Sequence, residues 1–363
     1  MINPRVYYVN SGLQGCYFVR CLLPLMANGW DGDQTSISLD TKTDETKAIS
    51  AQKADIVVFH RPEDEGKLKL ARLLKRLGKK IVFDNDDTFK DNGGYRFNEY
   101  MDKKRFEKGM KSMNEVIDNF IKEADMVTCS TEFLADEYKK LNDNVVVLPN
   151  CVDEFYFDEP LKNEDGNVRI GIVGSLAVTA DLEKCKPIIE HFKDREDVTI
   201  VLYSLPNKGV DKITRELYSE EYKWLDSLTD YKNIEWQPFT DFEIYYDVLN
   251  QLRLDIAIIP RDDNYFNRCK SNLKFLEMSM LEIPVIAQGF EDGQSPYERD
   301  EEDAKHMVIV KDDKNWIPEI ESLIKDSERR VTMGKSAKEY VISKYSIGKN
   351  AEKWSSAYQS LYK

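Results

Sequence analysis

Short apolar runs alternate with amphipathic stretches along the whole chain. In the first half the runs are RVYYVN (5–10), DIVVF (55–59), KIVFD (80–84), DMVTCS (125–130) and NVVVLPN (144–150). Between them CYFVRCLLPLMANGW, EGKLKLARLLKRLGKK, MNEVIDNFIKEA and TEFLADEYKKL carry the spacing of helices. Runs that are apolar at consecutive positions leave no face for water, which predicts a parallel sheet covered by helices on both sides. Residues 1–157 are thus expected to form one doubly wound α/β domain.

The polar, turn-forming DEPLKNEDGN (158–167) reads as a linker. The pattern then restarts with VRIGIVG (168–174), VTIVLYS (198–204), NIEWQPF (233–239), LDIAIIP (254–260), PVIAQG (284–289) and MVIVKD (307–312). This predicts a second doubly wound domain over 168–345. The last stretch, 346–363, is an amphipathic helix that could pack back toward the first domain. Ligands of such sheets bind beyond the carboxyl ends of the strands, so two facing domains imply one deep cleft between them.

With 363 residues, of which 41% are hydrophobic, the chain can build two cores. A formal charge of −14 argues against a protein that coats nucleic acid, although a local basic cleft remains compatible with it. The six cysteines show no CxxC pair and no signal peptide is visible, so a reducing, cytoplasmic setting is expected, with buried thiols. Three dispersed histidines do not suggest zinc. No apolar run reaches membrane-spanning length.

The stretch NRCKSNLKFLEMSMLEIPVIA (267–287) departs from plain core. Arg268, Lys270 and Lys274 crowd a helix start, where the macrodipole already disfavours cations. With Ser271 as N-cap, the free N–H groups of Asn272, Leu273 and Lys274 form an anion site suited to phosphate. Glu277 follows at a reach that suits ribose hydroxyls beyond a diphosphate. The competing reading is a solvated helix face with an ordinary Lys274–Glu277 pair.

Two glycine turns follow strands. In RIGIVGSLAVTADLEKC (169–185), Gly174, Ser175 and Thr179 can offer amides and hydroxyls to an oxyanion. In NSGLQGCYFVR (10–20), Gly12 and Gly15 let the backbone approach a ligand. IVFDNDDTF (81–89) places Asp84, Asp86 and Asp87 at a strand exit. Mutual repulsion can raise one carboxyl for proton transfer; metal binding and simple N-capping are the other readings. His60 leaves the neighbouring strand as a candidate acid or base, or as a structural histidine. The seven basic residues of EGKLKLARLLKRLGKK (65–80) and the cluster MDKKRFEKGMK (101–111) read as solvated faces, or as contacts for an anionic acceptor or membrane surface.

Together these features resemble the retaining, nucleotide-sugar-dependent glycosyltransferases of the GT-B type, most closely the large family-4 group. ADMVTCSTEFLADEYKKLNDNVVVLPNCVDEFYF (124–157) is similar to the segment closing that family's first Rossmann-like domain. RIGIVGS is similar to the opening strand of its donor domain, and CKSNLKFLEMSMLEIPVIA to its donor-site helix and following strand. The resemblance implies hexosyl transfer with retention, from a nucleoside-diphosphate sugar that acts as co-substrate, UDP-sugar foremost, without other cofactor and without metal. The acceptor would be a glycan, glycolipid or other glycoconjugate, with peripheral membrane contact possible. Glu277 matches the ribose-holding glutamate, Ser271 to Lys274 the diphosphate-holding helix start, and Gly174 with Ser175 the loop opposite. Gly15 matches the first-domain turn beside the donor, and Asp86 or Asp87 the polar position near acceptor and sugar.

Two departures stand out. Cys269 occupies the place of a second acid that contacts the transferred sugar in that family. The loop after Gly174 also lacks the Arg and Lys common there, which leaves Arg268, Lys270 and Lys274 to neutralise the leaving diphosphate. Alternatives of other classes are a transferase acting on modified bases in DNA, a sugar-nucleotide epimerase, a metal-dependent transferase using the Asp triplet, and a non-catalytic nucleotide-sugar binder.

Overall fold

A computed structural model describes residues 4–10, 15–30, 53–88, 103–174, 180–204 and 219–362. Ser175, Thr179 and Gly12 lie outside the described residues, as does part of the 101–111 cluster. Each of the eleven expected strands is present. The first sheet contains β1 (Val6–Asn10), β2 (Ile56–His60), β3 (Lys80–Asn85), β4 (Met126–Cys129) and β5 (Val145–Val147), in that spatial order and all parallel. The second contains β6 (Val168–Val173), β7 (Val198–Tyr203), β8 (Ile234–Gln237), β9 (Ile256–Ile259), β10 (Val285–Gln288) and β11 (Val308–Val310). Its order is β11-β10-β9-β6-β7-β8, again all parallel. The winding reverses between β6 and β9, so a ligand crevice is expected at their carboxyl ends.

Helices cover the sheets on both faces, and the central strands β2, β3, β4, β9 and β10 are buried almost throughout. On one face of the first sheet, Val57, Phe59, Ile81 and Phe83 pack on Leu68, Leu74, Phe120, Ile121 and Leu134. These come from the helices Glu65–Arg76, Lys103–Glu123 and Glu132–Tyr138. On the other face Val6, Tyr8, Val58 and Val82 meet Phe18, Leu23, Trp354 and Tyr358. The final helix, Ile347–Ser360, therefore closes the first sheet rather than the second. Trp30 stacks on Tyr358 with centroids 5.2 Å apart. The chain enters this return through a small crossing, where Val152 N–H bonds the Tyr345 carbonyl and Ile347 N–H the Val152 carbonyl.

Two helices differ from expectation. The 113–124 pattern belongs to the longer Lys103–Glu123, whose first turns hold part of the basic cluster. The helical stretch from Gly15 to Ala27 carries a π-helical turn at Phe18–Leu22, with Leu23 N–H on the Phe18 carbonyl. Pro24 has no N–H to return to the Arg20 carbonyl, so an ordinary i→i−4 ladder cannot run through this point. Five cysteines are buried and Cys16 is half-buried; all six are free thiols.

Candidate functional site

The carboxyl end of the first sheet is dominated by ion pairs. Asp84, at the end of β3, accepts two bonds from the Arg20 guanidinium, one from Thr128 at 2.7 Å, and lies 2.9 Å from His60 Nδ1. Burial opposes its ionisation, but Arg20 and the His60 bond outweigh it and hold the carboxyl well below the usual range. An ionised carboxylate only accepts, so His60 Nδ1 carries the proton. His60 is 1% exposed. The expected acid or base is therefore tied through Nδ1 to Asp84 in a buried knot, while its Nε2 meets no partner among the described residues.

Asp86 and Asp87 sit one turn beyond, both buried, against Arg61. Its guanidinium lies 2.9 Å from Asp87 and 3.9 Å from Asp86. Arg61 adopts φ 51°, a left-handed conformation that turns its side chain back over the strand exit. Burial works against charge on both carboxyls. Arg61 and His60 overcome it at Asp86, which lies below the usual value. At Asp87 burial, joined by repulsion from Asp86, wins over Arg61 and Lys270, and the carboxyl lies above it. The expected split of the pair is present, and Asp87 is its raised member. Among the described residues no group of three or more His, Cys, Asp or Glu is arranged to hold a metal ion.

Across the gap stands the helix Leu273–Met280. It begins one residue later than expected: Asn272, not Ser271, is its N-cap, and makes no capping bond with its side chain. Asn272 donates instead to Asp303 at 2.6 Å. Ser271 Oγ accepts from Asn150 Nδ2 at 2.9 Å, which ties this tip to the end of the first domain. At the helix start Leu273 N–H donates to Ser271 Oγ at 3.4 Å, and Lys274 N–H has no bond among the described residues.

The three expected cations take different places. Arg268 bonds Asp263 at both ends of its fork and Asp292 through Nη1, and covers the Phe290 ring. Lys274 binds Glu277 Oε2 at 2.8 Å and the Tyr245 hydroxyl at 2.7 Å. Lys270 reaches across to Asp87, 3.7 Å from Oδ2, above the Phe266 ring. Burial lowers its pKa; Asp87 opposes this and Arg261 adds to it. Glu277 is only 4% exposed. The Lys274–Glu277 pair exists, but it is enclosed rather than solvated. Both bonds to Glu277, from Lys274 and from Tyr245 at 3.2 Å, fall on Oε2, and Oε1 accepts none among the described residues.

Gly174 follows β6 at φ 132°, a conformation that favours glycine, and its N–H bonds the Tyr203 carbonyl. Gly15 is exposed at the start of its helix. Beside the switch point lies a group that sequence reasoning did not single out. Asp181, buried at the start of the helix Ala180–Phe192, accepts from Arg261 Nη1, from Asn267 Nδ2 at 2.7 Å and from Asp262 N–H at 2.8 Å. It joins the exits of β6 and β9.

The basic face of Glu65–Arg76 is partly neutralised locally. Lys67 pairs with Asp64, Arg72 with Glu123 and Lys75 with Asp125. Among the described residues no helix is long and apolar enough to cross a membrane.

Two parallel-sheet lobes meeting at their carboxyl ends, with a return helix, are the GT-B architecture, and solved glycosyltransferases share it. The Rickettsia africae glycosyltransferase superposes with a TM-score of 0.60 at 15% identity, over 99% of this chain and 98% of that one. An S. aureus TarM variant, in complex with fondaparinux, α-GlcNAc-glycerol and UDP, gives 0.58 at 16% identity, over 83% and 55%. The Thermobaculum terrenum O-GlcNAc transferase gives 0.55 at 14%, over 99% and 67%. The chain spans about half the length of TarM. No protein-family model and no curated protein matches it by sequence. At these identities the likeness establishes the fold.

Proposed function

We propose that this protein is a retaining glycosyltransferase that moves a sugar from a nucleoside-diphosphate sugar, with UDP as the nucleotide, to a glycan or glycoconjugate acceptor. One observation carries the reading: the buried Glu277 keeps an oxygen that accepts no bond among the described residues, on the helix between β9 and β10 of the second sheet. A carboxylate so held can take a ribose hydroxyl, while the N–H groups at the helix start take the diphosphate. From Asn272 to Glu277 the helical rise is roughly 8 Å, the scale of a diphosphate-to-ribose step. The fold shared with glycosyltransferases, one of them holding UDP beside glycan ligands, supports the choice of donor and acceptor class.

As the sugar leaves, negative charge grows on the diphosphate. Lys270 is the cation at the helix tip whose partner, Asp87, belongs to the opposite lobe. Exchange of Asp87 for the diphosphate lets this lysine stabilise the leaving group without a metal ion. Asp87, raised and partly released, then faces the acceptor side. Free thiols fit a reducing compartment such as the cytoplasm. Contact with a membrane would be peripheral.

A panel of UDP-, GDP- and ADP-sugars assayed for slow hydrolysis tests the reading. Turnover of a UDP-sugar is expected, undiminished by EDTA and lowered by Lys270→Ala chiefly in kcat. Absence of turnover across the panel, or an unchanged kcat in the variant, contradicts it.

A further inference from the structure

Two buried polar atoms at the exits of the second sheet meet no partner among the described residues: Nε of Arg261 and Oδ1 of Asn267. Both side chains are already anchored to one carboxylate, Arg261 by Nη1 and Asn267 by Nδ2 on Asp181. Arg261 also bonds Tyr297. Arg261 is 9% and Asn267 2% exposed, so solvent offers little compensation. Among the described residues a donor and an acceptor thus stand unmade around one anchor, an arrangement able to take a bound group.

Its chemistry follows from the two atoms. Arg261 Nε–H needs an acceptor, and Asn267 Oδ1 needs a donor. A phosphate oxygen satisfies the first and has no proton for the second. A hydroxyl has both functions, a lone pair to accept from Nε and a proton to donate to Oδ1. The position agrees with this. Arg261 follows β9 at the switch point, and Asn267 stands three residues before Lys270 on the helix Tyr265–Cys269. Arg261 and Asp181 both act electrostatically on Lys270, so the group lies beside the proposed leaving diphosphate. Cys269, at the place of the sugar-contacting acid in the resembling family, is fully buried in the apolar cluster of the first sheet and cannot serve.

We propose that Arg261 and Asn267, positioned by Asp181, form the subsite that binds a hydroxyl of the transferred sugar. This rests on the donor reading given above. The pair then sets which hexose is accepted, through the direction in which one hydroxyl leaves the ring.

The test compares Asn267→Leu and Arg261→Lys with the wild-type protein. Leucine keeps the volume and removes the acceptor; lysine keeps the charge toward Asp181 and removes the Nε donor. Hydrolysis of UDP-glucose, UDP-galactose and UDP-N-acetylglucosamine gives kcat/KM, and inhibition by UDP gives Ki. On the sugar nucleotide that the wild type turns over best, both variants are expected to lose about 10- to 100-fold in kcat/KM. Ki for UDP should stay within about twofold, because UDP has no hexose. A parallel rise in Ki, or an unchanged kcat/KM, overturns the subsite. If Asn267→Leu fails to fold, Arg261→Lys alone decides. A wild type that turns over none of the three and shows no UDP binding by calorimetry overturns the donor reading itself, a result distinct from failure of the subsite.

Discussion

Two carboxylates at the carboxyl ends of the two sheets show opposite economies of bonding. Asp84 in the first lobe accepts four bonds, from Arg20 twice, from His60 and from Thr128, and is sealed under the return helix. Glu277 in the second accepts two bonds on one oxygen and none on the other among the described residues. Both are buried and both neighbour cations, so burial and charge alone do not separate them. What separates them is saturation. A satisfied anion holds a fold together, whereas one with a free lone pair can hold a ligand.

The largest effect expected from this contrast is structural. Removing one partner of the buried Asp84–Arg20 pair, by Asp84→Ala or Arg20→Ala, should destabilise the protein by about 3–5 kcal/mol, because it strands the other charge. Urea unfolding measures it. The folded pKa of Asp84 is depressed, so its contribution is present above the unfolded carboxyl range. It is lost only as pH falls through the depressed value, and an acid titration of wild type and variant should converge there.

Lys270→Ala comes next, and it should act on rate rather than folding. Loss of a cation facing a leaving group lowers kcat by about 10²–10³-fold. Steady-state hydrolysis of the best UDP-sugar reads it, and an equal loss in thermal stability would place Lys270 with Asp84 instead. Glu277→Ala should weaken donor binding by about 10- to 100-fold, as removal of a charge-assisted bond does.

A smaller and signed effect is expected at Asp87. Its folded pKa is raised by burial and by Asp86, so its folding contribution is full below the unfolded carboxyl range and is lost as pH rises through the raised value. Asp87→Asn should therefore raise the thermal midpoint at pH 7 relative to wild type, and the difference should vanish in acid. Calorimetry at the two pH values decides. Smallest of all is Arg268→Ala. With Arg268 held by Asp263 and Asp292, donor KM should change less than about twofold and stability by about 1 kcal/mol or less, as for a partly exposed ion pair.

The scaffold was legible in the sequence because parallel strands buried on both faces are written as apolar runs, and all eleven strands fall within the expected segments, the edge strand β8 with its Glu235 the least apolar of them. The helix tip was legible too, to within one residue. Ser271 still accepts from Leu273 N–H although the helix starts after Asn272, and both side chains also bond distant partners, Asn150 and Asp303. Pairings across long sequence separations were not legible. Nothing local tells that Arg20 meets Asp84, that Arg61 meets Asp87, or that Arg261 meets Asp181. Arg268 accordingly read as a donor-site cation, although its fork is taken by two aspartates.

Some of this was signalled. An arginine inside the apolar YFVRCLLPL announces a buried partner, since a lone buried charge is untenable. Arg61 stands directly after a strand, where His60 alone drew attention. Asn267 and Asp181 gave no such sign, because an asparagine or aspartate near a helix start reads as a cap.

The most direct measurement is a crystal soaked with UDP. The account predicts its diphosphate on the N–H groups of Leu273 and Lys274 beside Lys270, with the ribose on the free oxygen of Glu277. Nucleotide density away from this helix tip, or a ribose that leaves Glu277 untouched, would contradict it.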